Sequence, residues 1–420
     1  MIAGGGGVAY GFANLAVQLC ALAVLALNRE AFKGFWHDAP RPLAIVLAAT
    51  LALPLLQLVP LPPGAWHSLP GRELAEAARQ AAAADGWYAL TLDRNRTLVA
   101  ATGLIAPLAV LTIAWNLPRR DLAWLGWLIV GLGLANFLLG AVQVLSSGQS
   151  GLLYPENPMP GVLFGSFANR NSTGIFLVTC LALLVALPQP WRGGLGTAFK
   201  IGAGAALAIG VVLTQSRTAM VLVALPVLLA AIRLALRRQA MDKRGLAAIC
   251  AALALVSLGT LSVMSLADTR LDTSLARFSQ SDEARFSLWE DASYTAQKYW
   301  PAGAGMGTFD EVFQADESLE NLTERRAGRA HNDYLELAIE AGLPGLLLLA
   351  GWLALVAWLT FAARRSELRW QAWSGSAILA AVALQSLVDY PLRNQAMLCI
   401  VAFALALLGS ARRSEEAQQS

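Results

Sequence analysis

Charge is what this sequence lacks. Only 14% of its 420 residues are Asp, Glu, Lys or Arg, where a soluble protein of this size carries about a quarter. An ordinary soluble domain is excluded, because apolar residues reach 56%, mean hydropathy is +0.53, and long uncharged runs recur from end to end. Histidine is nearly absent, with three residues, and no pair of them stands at metal-ligand spacing. With no outward Asp-x-Asp either, no metal and no other cofactor is expected. The Gly-x-Ser-x-Gly turn of a serine hydrolase is missing. The four cysteines, Cys20, Cys180, Cys250 and Cys399, all fall inside apolar runs. They read as small lipid- or core-facing residues, and no disulfide framework follows.

What is present is apolar helix. Each run approaches the roughly 20 residues that a helix needs to cross about 30 Å of hydrocarbon. Only helices and closed barrels satisfy their backbone in lipid, and continuous runs of this length exclude a barrel. Eleven spans are expected, at 8–27, 43–61, 97–115, 123–145, 172–187, 198–214, 218–236, 246–266, 343–362, 371–388 and 395–409. The first run lacks a basic leader and a cleavage site, so it reads as a retained helix. A further helix upstream would make twelve. The fold class is therefore all-α and polytopic. Residues 1–266 hold spans one to eight, 267–342 form a cap, and 343–420 hold the last three spans and a tail.

Lysine and arginine in short loops set orientation. One alternate set holds Arg29, Lys33 and Arg41; Arg119 and Arg120; Arg192; Arg237, Arg238, Lys243 and Arg244; Arg364, Arg365 and Arg369; and Arg412 and Arg413. Placing these in the cytoplasm puts the C-terminus inside and the long segments 62–96 and 267–342 outside. Tryptophans at span edges, such as Trp115, Trp124, Trp191, Trp300, Trp370 and Trp373, suit an interfacial belt. Within 62–96, a surface helix is expected at 73–84. Within the cap, Phe286, Trp289, Ala292 and Ala296 recur at helical spacing behind Asp282 and Glu283, predicting a helix near 282–297. The glycine-rich run 301–307 has no strand before it, which argues against a nucleotide loop and for a backbone hinge.

Several charges face outward where charge is expensive. Arg217 sits in Gln215-Ser216-Arg217-Thr218, a turn so tight that its guanidinium must lie at the interface. Arg170 lies in Asn169-Arg170-Asn171 just before a span, and Arg285 opens the cap helix. Each could be a snorkelling anchor, but arginine in so short an outer turn runs against the orientation rule and suggests an anionic partner. His331, in Ala330-His331-Asn332-Asp333-Tyr334-Leu335-Glu336, stands where the cap re-enters the membrane. Histidine changes protonation near neutral pH and suits general acid–base work. Outward arginines with one histidine fit a reaction that releases a diphosphate. Arginine's planar fork binds such oxygens bidentately, and a histidine could deprotonate an attacking hydroxyl. The sequons at Asn95, Asn171 and Asn321 read as chance matches.

In order along the chain, these pieces resemble the O-antigen ligase and polymerase superfamily of bacterial envelope glycan assembly. They are Phe167-Ala168-Asn169-Arg170-Asn171, then Thr214-Gln215-Ser216-Arg217-Thr218, then Arg285 with Trp289 and Trp300-Pro301 through Phe309. The last is His331 to Glu336 running into Ala341-Gly342-Leu343-Pro344-Gly345. The resemblance covers about 160–360 and is most specific in its last piece. It implies a GT-C-type, metal-independent membrane glycosyltransferase with its periplasmic cap between the eighth and ninth spans. Such an enzyme moves a glycan from undecaprenyl diphosphate to lipid A-core or a growing glycan at the periplasmic face of the bacterial inner membrane. By that resemblance Arg217 and Arg285 bind the diphosphate and His331 activates the acceptor. Arg170, Asn171, Asn332, Asp333 and Glu336 line the substrate site. Asp389, near Tyr390-Pro391, either contributes or caps a helix. Protein O-oligosaccharyltransferases share the donor, and a transporter of a lipid-linked glycan is the alternative from another class. No nucleic acid is expected as a partner.

The orientation is testable. In spheroplasts, single cysteines placed at 75 or 315 in a variant lacking the native four should react with an impermeant maleimide. One placed at 367 should react only after lysis, and the opposite pattern inverts the topology.

Overall fold

The computed structural model of the chain describes residues 4–6, 10–84, 86–146, 153, 161–191, 193–237, 271–322 and 326–419. The expected span at 246–266 lies outside these residues, as do Cys250, Arg192, Arg238, Lys243, Arg244 and Thr323 of the third sequon.

Helices account for nearly all of the described chain. They run α1 (Gly11–Leu27), α2 (Arg29–Asp38), α3 (Arg41–Gln57), α4 (Pro63–His67), α5 (Glu73–Ala81), α6 (Arg94–Gly103), α7 (Ile105–Asn116) and α8 (Arg119–Leu145). After these come α9 (Arg170–Ala186), α10 (Gly194–Leu213), α11 (Arg217–Leu222) and α12 (Ala224–Arg237). The last five are α13 (Leu271–Lys298), α14 (Phe309–Asp316), α15 (Asp333–Ala362), α16 (Arg369–Gln385) and α17 (Gln395–Gln419). Departing from the all-helical expectation, Pro60–Leu61 and Tyr88–Ala89 pair as a short antiparallel ribbon closing the first long loop.

Every expected span within the described residues falls on a helix. Five stretches are long and apolar enough to cross a membrane, and α1 with α2, bent by 81°, would make a sixth. Three more, α3, α9 and Gln395–Ala411, are apolar but shorter. The chain is a multi-pass membrane protein. The shortest spans are not the weakest. Helix α9 is apolar on all sides because it is buried on nearly all of them, with Ile175, Phe176, Leu177 and Cys180 fully enclosed. It packs against α8, α10, α11, α12 and α16 and is the central post of the bundle.

One end of the bundle is organised by side-chain caps. Asp93, Asn169, Ser216, Asn332 and Asn394 each turn a side-chain oxygen onto the first backbone N–H groups of α6, α9, α11, α15 and α17. Such a cap contributes about 1 kcal/mol, and it satisfies donors that lipid cannot. Four of these five helix starts belong to, or adjoin, the motifs singled out above.

The segment 301–307 is seated on a kink in α15. Pro344 has no N–H and cannot sit against the carbonyl of residue 340, so the helix opens there. Gly342 takes φ +54, ψ −142. The freed carbonyls find other donors: Ile339 O accepts from Ala304 N at 2.8 Å, and Glu340 O from Gly305 N and Gln57 Nε2, each at 2.9 Å. Leu343 N donates to Pro301 O at 2.9 Å. The run 301–307 is thus a packed joint and not the free hinge expected of it, since its backbone completes the hydrogen bonding of a broken helix. Buried Arg72 strengthens the joint, lying between the rings of Trp66 and Tyr299 and donating to Leu90 O at 2.7 Å and Gly303 O at 3.2 Å.

A Cβ at Gly342 would overlap the Pro301 carbonyl, at a φ that non-glycine residues rarely adopt. Gly342→Ala is expected to cost at least about 1–3 kcal/mol. It should appear as a lower melting temperature in detergent and faster proteolysis of the 301–330 segment.

Candidate active site

The capped end gathers residues from five separate parts of the chain. Arg170 is the first residue of α9 and Arg217 the first of α11, while Arg285 lies on α13. Both Arg285 and Arg217 act electrostatically on Arg170, and Asp389 opposes them. Three guanidinium groups therefore share one locality with the buried Asp389 carboxylate beside it. α9 and α11 approach closely because Gly174 has no side chain. A Cβ there would lie 2.6 Å from that of Ala219, 3.2 Å from Thr214 Oγ1 and 3.3 Å from Ser216 Cβ. The Ser216 turn, with Gln215 at φ +53, is held by Ser216 N to Thr214 Oγ1 at 3.2 Å and Ala219 N to Ser216 Oγ at 3.4 Å.

His331 stands at the entry to α15 with φ +50, a backbone conformation histidine adopts uncommonly. Its Nδ1 is 3.2 Å from Asp389 Oδ1, and its ring meets Tyr390 edge-on at 4.9 Å between centroids. Asp389 is 1% exposed, whereas the His331 side chain is 36% exposed. The second carboxylate oxygen of Asp389 accepts from Asn169 Nδ2 at 3.5 Å, joining the pair to the residue before Arg170. Burial, followed by the Asp389 charge, pushes the Tyr390 phenol up to about 12, so it stays protonated at neutral pH. A histidine whose Nδ1–H is held by a carboxylate leaves Nε2 free to accept a proton.

The cap reaches the same place. Trp289 Nε1 donates to Ala330 O at 2.8 Å, so the helix bearing Arg285 is pinned to the residue before His331. Arg285 and Trp289, four residues apart, share a face of α13.

The remaining expected residues divide by orientation. Asn332 uses its Oδ1 to cap α15, accepting from Tyr334 N at 3.0 Å and Leu335 N at 3.1 Å. Asn171 lies in the first turn of α9, its N–H donating to Asn169 Oδ1 at 2.8 Å. Asp333 and Glu336 are buried and turn inward. Arg393 Nε lies 3.5 Å from Asp333 Oδ1 and 3.1 Å from Glu336 Oε2, and its Nη1 is 2.7 Å from Glu340 Oε2. Glu336 also meets Arg329 at 3.0 Å and accepts from Ala330 N at 2.9 Å. Burial alone would lower the Arg393 guanidinium, but Glu340, Glu336 and Asp333 more than offset it and hold it above the usual arginine range.

Sequence reasoning left Asn169, Tyr390, Arg393, Arg329 and Glu340 without a role and gave Asp389 two. One signal was available. Asp333, Glu336 and Glu340 fall at i, i+3 and i+7 on a segment entering an apolar run, and three acids on one stripe require a cation.

Fold and site together define a multi-pass helical membrane protein that gathers arginines and a carboxylate-backed histidine at one end of its bundle. Residues 202–350 match the family model described as O-Antigen ligase, and over this segment the chain carries an O-antigen ligase domain. No curated protein matches the chain. The matched segment includes Arg217, Arg285 and His331, whereas Arg170, Asp389 and Arg393 lie outside it and join them only in space. The match spans about a third of the chain and shows its similarity to O-antigen ligases over that segment alone.

The contact between α9 and α11 gives a prediction. Gly174→Val overpacks it and should cost about 1–3 kcal/mol, read as a lower melting temperature in detergent. Gly202→Val, whose Cβ would meet nothing within 4 Å, should leave the melting temperature unchanged.

Proposed function

We propose that the protein transfers a glycan from undecaprenyl diphosphate to an acceptor hydroxyl at the periplasmic face of the inner membrane, as an O-antigen ligase or a polymerase of surface polysaccharide. The observation that carries this reading is the convergence of Arg170, Arg217 and Arg285 on the His331–Asp389 pair.

Diphosphate is the matching anion. It carries several charges at neutral pH, and arginine remains charged whatever its surroundings. The helix starts at Arg170, Arg217 and Asp333 add the positive ends of their backbone dipoles. Held there, the phosphate oxygen bound to the anomeric carbon is stabilised as it leaves, in the role a metal ion serves in other glycosyl transferases. On the acceptor side, His331 Nε2 takes the hydroxyl proton while that oxygen attacks the anomeric carbon. The carbon–oxygen bond to phosphate breaks, and undecaprenyl diphosphate departs with both bonding electrons. Asp389 keeps the Nδ1–H tautomer and balances the imidazolium that forms. Asp333 and Glu336 serve by placing His331, and Asn332 by starting the helix behind it. Asn171 lies beside Arg170 on the donor side. The lysine and arginine distribution supports the outward direction, and helices at ten of the eleven expected positions, the other lying outside the described residues, support a many-span bundle. A GT-C-like arrangement, with 267–342 as the cap, belongs to the same reading.

In a deletion strain complemented with variants, Arg217→Ala and His331→Ala should insert normally yet fail to restore the envelope glycan profile. Losing a general base alone accounts for about 10²–10⁴ in rate. Long polymer left on the lipid carrier would identify a ligase, and single repeat units on the final acceptor a polymerase. Undiminished transfer by both purified variants overturns the mechanism, and donor trapped on the cytoplasmic side indicates a transporter.

A further inference from the structure

His331 and Asp389 are 58 residues apart in sequence and arise on different segments, so their 3.2 Å approach needs something else to set it. We propose that Arg393 is a positioning residue for this pair, locking the turn 386–394 onto the start of α15. The proposal rests on the assignment of His331 as base.

The turn is fastened at both ends. At its beginning Ser386 O accepts from Asp333 N at 2.9 Å, and Ser386 Oγ donates to Asp333 Oδ2 at 2.9 Å. At its end Leu392 N donates to Asp333 Oδ2 at 3.1 Å, and Arg393 grips Glu336 at 3.1 Å and Glu340 at 2.7 Å. Asp389 is carried between these anchors. The carboxylate of Glu336 that meets Arg393 also holds Ala330 N at 2.9 Å, one residue before His331. Arg393 therefore acts on both halves of the pair, on Asp389 through its own turn and on His331 through Glu336 and Ala330. It also reaches the cap, since Phe309 N donates to Glu340 Oε1 at 3.3 Å.

Only arginine suits this place. Three carboxylates on one helical stripe present acceptors in different directions, and a planar fork with five donors can meet them together. Lysine keeps the charge but concentrates it at one point. Arg393→Lys should therefore preserve the charge balance and loosen the alignment.

The experiment uses the full purified chain in detergent, with Arg393→Lys, Asp389→Asn and the double variant. Donor affinity is read with undecaprenyl diphosphate itself, and turnover with lipid-linked glycan extracted from the host. Arg393→Lys should lower turnover about tenfold or more, with undecaprenyl diphosphate binding unchanged within about twofold, because the arginine cluster is left intact. The double variant should be no slower than Asp389→Asn alone, since both act through one pair. Losses that multiply overturn the proposal.

A second measurement does not depend on activity. With His37→Gln and His67→Gln, His331 is the only histidine left, and ¹⁵N-histidine spectra report its tautomer. The unaltered site should show the Nδ1–H form, and Arg393→Lys should show a mixture, as Asp389→Asn does. Should Arg393→Lys fail to accumulate, Glu336→Gln weakens the same grip and should produce the same mixture. A tautomer unchanged by these substitutions overturns the positioning role. A tautomer that shifts as expected in a protein whose unaltered form transfers no glycan overturns the proposed function instead and leaves Arg393 in its role.

Discussion

A guanidinium and three carboxylates can stay out of water only as a unit. Each ion alone costs several kcal/mol to bury, and removing the arginine leaves the acids' charge without compensation. Arg393 with Asp333, Glu336 and Glu340 is such a unit, and it lies where three parts of the molecule meet. The start of α15 supplies the acids, the turn before α17 supplies the arginine, and the cap supplies Phe309 N to Glu340. Separating the first two would strand buried charge, and losing the third would cost Glu340 a hydrogen bond. The same constraint settles the loop before α15, because Glu336 also holds Arg329 and Ala330. The geometry around His331 follows from where these charges can be satisfied.

A second constraint is the backbone itself. In an apolar bundle every helix start and every break leaves polar groups that lipid cannot satisfy. The chain answers with Asp93, Asn169, Ser216, Asn332 and Asn394 at five helix starts. It answers the break at Pro344 with donors from Ala304, Gly305 and Gln57. These repairs lie at the end of the bundle where the arginines gather. The site is built where the backbone is most irregular and hence most in need of polar partners, so the polar groups required for structure and those proposed for chemistry are neighbours.

The three arginines show how such a site divides its labour. Arg170 and Arg217 start helices whose close approach Gly174 permits, and Arg285 arrives on a separate cap helix pinned by Trp289 to Ala330. The three guanidinium groups thus come together from two helix starts on one side and a separate helix on the other. The histidine is the half-exposed member of its pair and the aspartate the buried one. That is the arrangement a proton acceptor needs, with one nitrogen fixed from behind and the other turned toward solvent or substrate.

Much of this was legible in the residues alone. Apolar run length and charge scarcity determined a polytopic helical bundle, because in lipid a long uncharged run has no alternative to helix. The tight turn at Arg217, the start at Arg170 and the run from His331 to Gly345 were visible as polar interruptions of an apolar pattern, and a family resemblance attached to them. What the sequence could not determine was which interruptions face one another. Asp389 looked as much like a helix cap as a functional acid, Asp333 and Glu336 looked like substrate ligands, and Arg393 attracted no attention. Tertiary structure decided their partners, bringing Asp389 to His331 and turning the acids of α15 inward onto Arg393. The reason is physical: helix formation depends on neighbours in sequence, whereas the pairing of a buried charge depends on which distant segment arrives beside it.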